Sequence, residues 1–207
     1  MMIFRRLRRD FALLTAVLIL QFAYGSGVAQ AQEAIYLPLV VTVTGAPPTV
    51  QPIAIDNATM NFYAVAGASE DAIRASINAA RPGDYDARTN WNFQWAVPDD
   101  GNGSCNLEGV TINYTITVIF PQWTPPSEAN TELIDKWNGY INALALHESG
   151  HVERVVPNVP ELIDNIKASS CDSYNQVAQD WLNAVDQLNI DYDAETDHGA
   201  TQGALFP

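Results

Sequence analysis

The stretch SEANTELIDKWNGYINALALHESGH, residues 127–151, decides the fold, because its apolar residues recur at the spacing of one helix face. Ser127 or Thr131 is the predicted N-cap, and Pro157 and Pro160 are expected to stop the helix near Val156. The residues predicted to form its buried face are Leu133, Trp137, Tyr140, Ile141, Leu144 and Leu146.

The segments on either side of this helix differ in their periodicity. Alternation of apolar and polar residues predicts strands over 61–66, 91–95 and 110–120, the last ended by Pro121. Ser69 is expected to cap a helix that buries Ile73 and Ile77. Helices are predicted over 161–167 and 174–188, followed by a polar stretch, 191–207, without a period. The order predicts an α+β domain in which a small antiparallel or mixed sheet packs on the long helix.

The first 31 residues read as a secretory signal peptide. Four arginines precede a short apolar run over 11–22, and the segment ends in Ala29-Gln30-Ala31, which is typical of a cleavage site. The alternative is an uncleaved N-terminal anchor. Residues 32–52 are predicted to be a tether and 53–207 to be one folded domain. We therefore expect a secreted or extracytoplasmic protein with no membrane span after cleavage.

The charge of the chain excludes some partners. Removal of residues 1–31 takes away four of the 10 basic and one of the 24 acidic residues, which leaves a net charge of −17. Such a charge repels nucleic acid phosphates and anionic lipid headgroups. We therefore expect neither nucleic acid nor anionic membrane as a partner.

The chain contains two cysteines, Cys105 and Cys171. An even count in an exported chain predicts a disulfide. Binding of metal by the two thiolates is the rival interpretation, although neither cysteine has a close CxxC partner.

The motif His147-Glu148-Ser149-Gly150-His151 carries the strongest chemical signal in the chain. Residues at positions i and i+4 of a helix share a face, so both imidazoles can bind one Zn²⁺. The carboxylate of Glu148 is then placed to take a proton from a zinc-activated water. We predict one zinc per chain, with Glu148 as general base.

A catalytic zinc site has three protein ligands and one open position. His198 is the preferred third ligand, because it is the remaining histidine and lies in a polar segment rich in functional groups. Carboxylates also bind zinc, so four acidic residues remain competing ligands: Glu161, Asp164, Asp193 and Asp197. Asp193 or Asp197 is alternatively expected to orient a ligand histidine by hydrogen bond. Tyr192 is a candidate to stabilise the oxyanion, with packing at a helix end as the other interpretation.

The chain resembles the DUF922 family, bacterial proteins described as predicted secreted zinc-dependent proteases. The likeness covers about residues 60–207. It rests on the segment 63–67, the Trp91-x-x-x-Trp95 strand, the HESGH helix and the two cysteines. It also includes the terminal Tyr-Asp-x-x-Thr-x-His-Gly of residues 192–199 and the closing Gln202-Gly203-Ala204. The resemblance implies a zincin-like fold in which His147 and His151 bind zinc, Glu148 acts as base and the His198 segment belongs to the site.

These observations predict a secreted zinc metallopeptidase that hydrolyses peptide bonds of proteins, peptides or cell-wall peptides. A zinc hydrolase of another cell-wall amide is a close variant of this prediction. The alternative from a different class is a non-catalytic secreted binding or adhesion module, in which the metal is structural or absent. An open metal coordination position favours the enzyme, and four protein ligands favour the module.

Overall fold

The computed structural model describes residues 51–207, so the predicted signal peptide and nearly all of the predicted tether lie outside the described residues. Three strands and four α-helices follow one another along the described chain. They are β1 (Thr59–Val65), α1 (Glu70–Ala80), β2 (Arg88–Ala96), β3 (Thr111–Trp123), α2 (Thr131–Val155), α3 (Val159–Lys167) and α4 (Tyr174–Thr196).

The sheet is mixed and has β3 at its centre. The strand order is β1-β3-β2, with β1 parallel and β2 antiparallel to β3. Ser69 caps α1 by accepting from the Ala72 N–H, and α1 buries Ile73 and Ile77 completely. The predicted α+β class with a small mixed sheet is therefore confirmed.

The prediction that Pro121 ends the third strand is wrong. β3 continues to Trp123, and Pro121 pairs with Tyr63 of β1. The pairing of β3 with β2 ends at Ile119, which faces Arg88, so from Phe120 onward β3 has a neighbour on only one side within the described sheet. A proline is tolerated where its missing N–H would point to an unpaired edge.

Helix α2 has the predicted buried face, with two corrections. Asn130 caps it by accepting from the Leu133 N–H, one residue before the proposed Thr131. Leu146 is 60% exposed rather than buried, because it stands two residues after the buried Leu144, on the other side of the helix. The helix ends at Val155, where the first of the two prolines was expected to stop it.

Helix α4 is longer than its apolar pattern predicted. It passes the expected end at residue 188 and continues to Thr196, where Asp197 closes it with a left-handed backbone. Its buried face continues in polar and aromatic residues, Asn189, Tyr192 and Thr196, which lie against α2. These side chains hydrogen-bond with α2, so this part of α4 packs against α2 although its buried face contains no aliphatic residues.

Cys105 and Cys171 form the predicted disulfide. The bond joins the connection between β2 and β3 to the connection between α3 and α4. Across residues 51–207, none of the helices combines the length and the apolar character that a membrane crossing requires.

Candidate metal centre

The HExxH motif occupies the C-terminal part of α2, and its three functional side chains are buried. Only 4%, 3% and 7% of the surface of His147, Glu148 and His151 is exposed to solvent. The apolar residues earlier in α2 anchor this helix in the core, which holds the motif at the edge of the core rather than on a free surface. One helical turn separates the two imidazoles, whose ring centroids lie 4.9 Å apart.

Asp193 of α4 completes a group of three metal-binding side chains. Its Oδ1 lies 3.2 Å from Nε2 of His147 and 3.1 Å from Nε2 of His151. One ligand atom from each residue lies within 4.8 Å of the other two. Two imidazole nitrogens and one carboxylate oxygen are a ligand set that zinc accepts. The described chain therefore contains a possible metal-binding group of His147, His151 and Asp193.

The other ring nitrogen of each histidine is already bound to the protein. Nδ1 of His151 lies 2.8 Å from Oδ1 of Asn189, and Nδ1 of His147 lies 3.0 Å from Oε1 of Gln202. An amide oxygen only accepts, so each Nδ1 carries the proton and each Nε2 presents its lone pair toward Asp193. Such partners fix the tautomer and the ring orientation of metal-binding histidines.

The orientation of both amides follows from their second hydrogen bond. Asn189 Nδ2 donates to the Val185 carbonyl at 2.8 Å, and Gln202 Nε2 donates to the Tyr192 hydroxyl at 3.0 Å. Asn189 Oδ1 therefore faces His151. The Tyr192 hydroxyl donates to the His147 carbonyl, so it accepts from Gln202 Nε2, and Gln202 Oε1 faces His147. The sequence analysis missed Asn189, and it named Gln202 only within the family resemblance, without a role in the site. Only the four-residue step from Val185 to Asn189 on one helix face could have indicated the first, and no local signal indicated the second.

Burial controls the protonation of the motif. It lowers the pKa of His147 below the usual imidazole value, and the neighbouring His151 lowers that pKa further. Burial also raises the pKa of Glu148 to about 7, although a hydrogen bond from Thr89 acts in the opposite direction. The Thr89 hydroxyl of β2 donates to Oε2 of Glu148 at 2.5 Å.

The three-residue group opens into a cleft of about 800 Å³. Thr89 and Trp91 of β2 line one side, and Ile190 and Asp193 of α4 line another. Glu148 faces the same space, so a molecule in the cleft would reach both the base and the candidate ligands.

The Tyr192 hydroxyl lies behind the motif rather than at the cleft. It donates to the His147 carbonyl at 3.2 Å, and its ring stacks on the His147 imidazole with centroids 5.1 Å apart. The ring occupies a notch in α2 at Gly150, where any Cβ would overlap the hydroxyl. These contacts favour the packing interpretation of Tyr192, and its oxyanion role stays a prediction.

His198 lies near the three-residue group but is not one of its members. Its Nδ1 is 3.7 Å from Oδ1 of Asp193, and its side chain is 46% exposed at the cleft. Of the competing carboxylates, Asp193 is the one that the structure brings to the two histidines. Asp197 lines the cleft, whereas Glu161 and Asp164 lie on α3.

Comparison with known families gives one match. Residues 60–199 match the family described as "Bacterial protein of unknown function (DUF922)". The chain belongs to the DUF922 family. The region matched in this DUF922 protein extends from β1 through α4 and the turn that carries His198. No curated protein and no solved structure matched the chain.

Proposed function

We propose that this DUF922 protein is a zinc-dependent peptidase that acts outside the cytoplasm. The observation that carries the proposal is the convergence of His147, His151 and Asp193 beside Glu148 at one cleft. The disulfide between Cys105 and Cys171 supports an oxidising compartment, where such bonds persist.

The three candidate ligands fit a catalytic rather than a structural metal. Structural zinc is enclosed by four protein ligands, whereas catalytic zinc has three and an open position. Here three candidate ligands come together among the described residues, and all three line the cleft. This argues for the enzyme and against the binding module with a structural metal.

Glu148 supplies the acid–base chemistry in this proposal. Zinc, when bound, would polarise the scissile carbonyl and acidify a water molecule. The Glu148 carboxylate accepts the proton from the attacking water and returns it to the leaving amine. Thr89 donates to one carboxylate oxygen, Oε2, which leaves Oε1 for this proton transfer.

The position of β2 supports an extended peptide as substrate. β2 is an edge strand of the described sheet, and Thr89 and Trp91 near its start line the cleft. An unpaired strand edge binds extended peptides by adding them as a further strand. A peptide bound in this way would pass directly beside Glu148.

Replacement of the base tests the proposal. We expect Glu148→Gln to lower kcat/KM on a broad peptide library by about 10²- to 10⁴-fold, with the zinc content unchanged. Glu153→Gln is the matched control, because Glu153 is exposed on the same helix. Hydrolysis that survives Glu148→Gln while zinc stays bound would refute the proposal.

A further inference from the structure

The turn after α4 holds His198 in an unusual position against the metal centre. Asp197, His198 and Gly199 all have positive φ, 49°, 50° and 83°. Two consecutive non-glycine residues in this region are uncommon, although Asp and His enter it more readily than most side chains. Such strain persists where surrounding contacts enforce it, which happens most often at functional sites.

The contacts that enforce this turn come from the site itself. The His198 N–H donates to the Asp193 carbonyl at 2.8 Å. Gly199 packs on His147, where a Cβ would come within 2.9 Å of the imidazole Cγ. The turn is therefore fixed to one candidate ligand by packing and to another by hydrogen bond, and it directs His198 to the cleft.

The loop between α1 and β2 also contacts the His198 ring. Tyr85 stacks on it with ring centroids 4.6 Å apart. Tyr85 precedes Asp86, whose carboxylate accepts from Arg74 at 2.6 Å and from the Tyr140 hydroxyl at 2.8 Å. The loop that presents Tyr85 is thus anchored to α1 and α2. Both rings of the aromatic pair therefore stand on segments that hydrogen bonds hold in place.

The nitrogens of His198 remain available for a ligand. Among residues 51–207 neither ring nitrogen has a hydrogen-bond partner, and the nearest carboxylate oxygen, on Asp193, is 3.7 Å from Nδ1. The Tyr192 hydroxyl, in contrast, is already bound to α2. The only imidazole at this cleft that is free to donate therefore belongs to His198.

We propose that His198 is a catalytic residue that donates a hydrogen bond to the substrate carbonyl oxygen, and that Tyr85 is the positioning residue for it. The inference rests on the proposed peptidase function. As the water oxygen bonds to the carbonyl carbon, the C=O π pair moves onto the oxygen and the water proton passes to Glu148. When the C–N bond breaks, the oxygen's pair re-forms the C=O bond, the C–N pair leaves on nitrogen, and Glu148 gives that nitrogen the proton. His198 stabilises the negative oxygen between the two steps.

The test uses the zinc-loaded protein and four variants. They are His198→Phe, which retains an aromatic ring without a donor, His198→Gln, which retains a donor, Tyr85→Ala, and the control Tyr114→Ala. Tyr114 is an exposed tyrosine that stacks on Phe93 outside the cleft. The measurements are kcat, KM, zinc content, and the histidine ring signals in the proton NMR spectrum of the metal-free protein.

We expect His198→Phe to lower kcat about 10²-fold with little change in KM and with zinc retained. His198→Gln should recover part of that loss. Tyr85→Ala should lower kcat by up to about 10-fold and shift the His198 ring signal, because the stack is lost. Tyr114→Ala should do neither.

The outcomes that overturn the inference are distinct from failure of the proposed function. A wild-type protein without peptidase activity removes both. An active wild type whose kcat survives His198→Phe removes the role of His198 alone. Loss of zinc in His198→Phe makes His198 a ligand and also contradicts the inference. An unchanged kcat and an unshifted ring signal in Tyr85→Ala remove the role of Tyr85.

Discussion

At the scale of single residues, Gly150 shows how the motif is adapted to its surroundings. In HExxH the fourth position has no direct chemical role, yet here it must lack a side chain because the Tyr192 ring fills the space. Glycine in a helix interior costs up to about 1 kcal/mol relative to alanine. The close approach of α4, which brings Asp193 to the histidines, offsets that cost.

Gly150→Ala should therefore destabilise the protein, in contrast to alanine at Gly139, the other glycine of the same helix. We expect the free energy of unfolding to fall by about 1–3 kcal/mol, because the methyl group forces the Tyr192 ring away. Urea denaturation followed by circular dichroism measures the change.

Gly139→Ala is the matched control for this prediction. Gly139 is exposed on α2, and a Cβ there meets nothing within 4 Å. Alanine should stabilise the helix by up to about 1 kcal/mol. Equal effects of the two substitutions would show that the notch at Gly150 is not filled as described.

The sequence predicted the local part of the candidate site, whereas it offered the distant Asp193 only as one of four competing carboxylate ligands. His147, Glu148 and His151 follow from helical spacing, because a helix face is defined within five residues. Asp193, Asn189 and Gln202 reach the motif through the packing of distant segments, which single-sequence periodicity does not encode. The preference for His198 rested on the better match of imidazole to zinc, whereas the structure brings the Asp193 carboxylate to the histidines.

At the scale of elements, the prediction of α4 failed for a physical reason. Its second half presents Asn189, Tyr192 and Thr196 to α2, so its buried face has no aliphatic residues there. The sequence analysis therefore interpreted this segment as a polar tail. In a site with buried polar groups, a helix face is recognised by its hydrogen-bonding partners as well as by apolar residues. Helix α2, which buries mainly apolar residues ahead of the motif, was predicted over almost its full length.

The disulfide joins the connection between β2 and β3 to the one before α4, and its removal should cost stability. The two cysteines are 66 residues apart in sequence. We expect Cys105→Ser combined with Cys171→Ser to lower the free energy of unfolding by about 2–4 kcal/mol, because the unfolded chain gains conformational entropy.

Urea denaturation of this variant, beside the wild type with and without reductant, measures the cost. Reduced wild type should match the double serine variant. An unchanged denaturation midpoint in both would show that the bond does not constrain the chain.

At the scale of the whole molecule, the candidate metal would connect α2, through His147 and His151, to α4, through Asp193. These two helices also carry the base and one wall of the cleft. A metal that binds only the folded chain stabilises it by mass action, so metal binding would couple the fold to the activity.

The most direct test of this account is the zinc content of the purified protein, measured by elemental mass spectrometry beside two variants. We predict about one zinc per chain in the wild type and in Asp186→Ala, an exposed cleft residue two turns earlier on α4, and loss of most zinc in Asp193→Ala. A wild type without stoichiometric metal after reconstitution, or an Asp193→Ala variant that retains its zinc fully, would contradict the account.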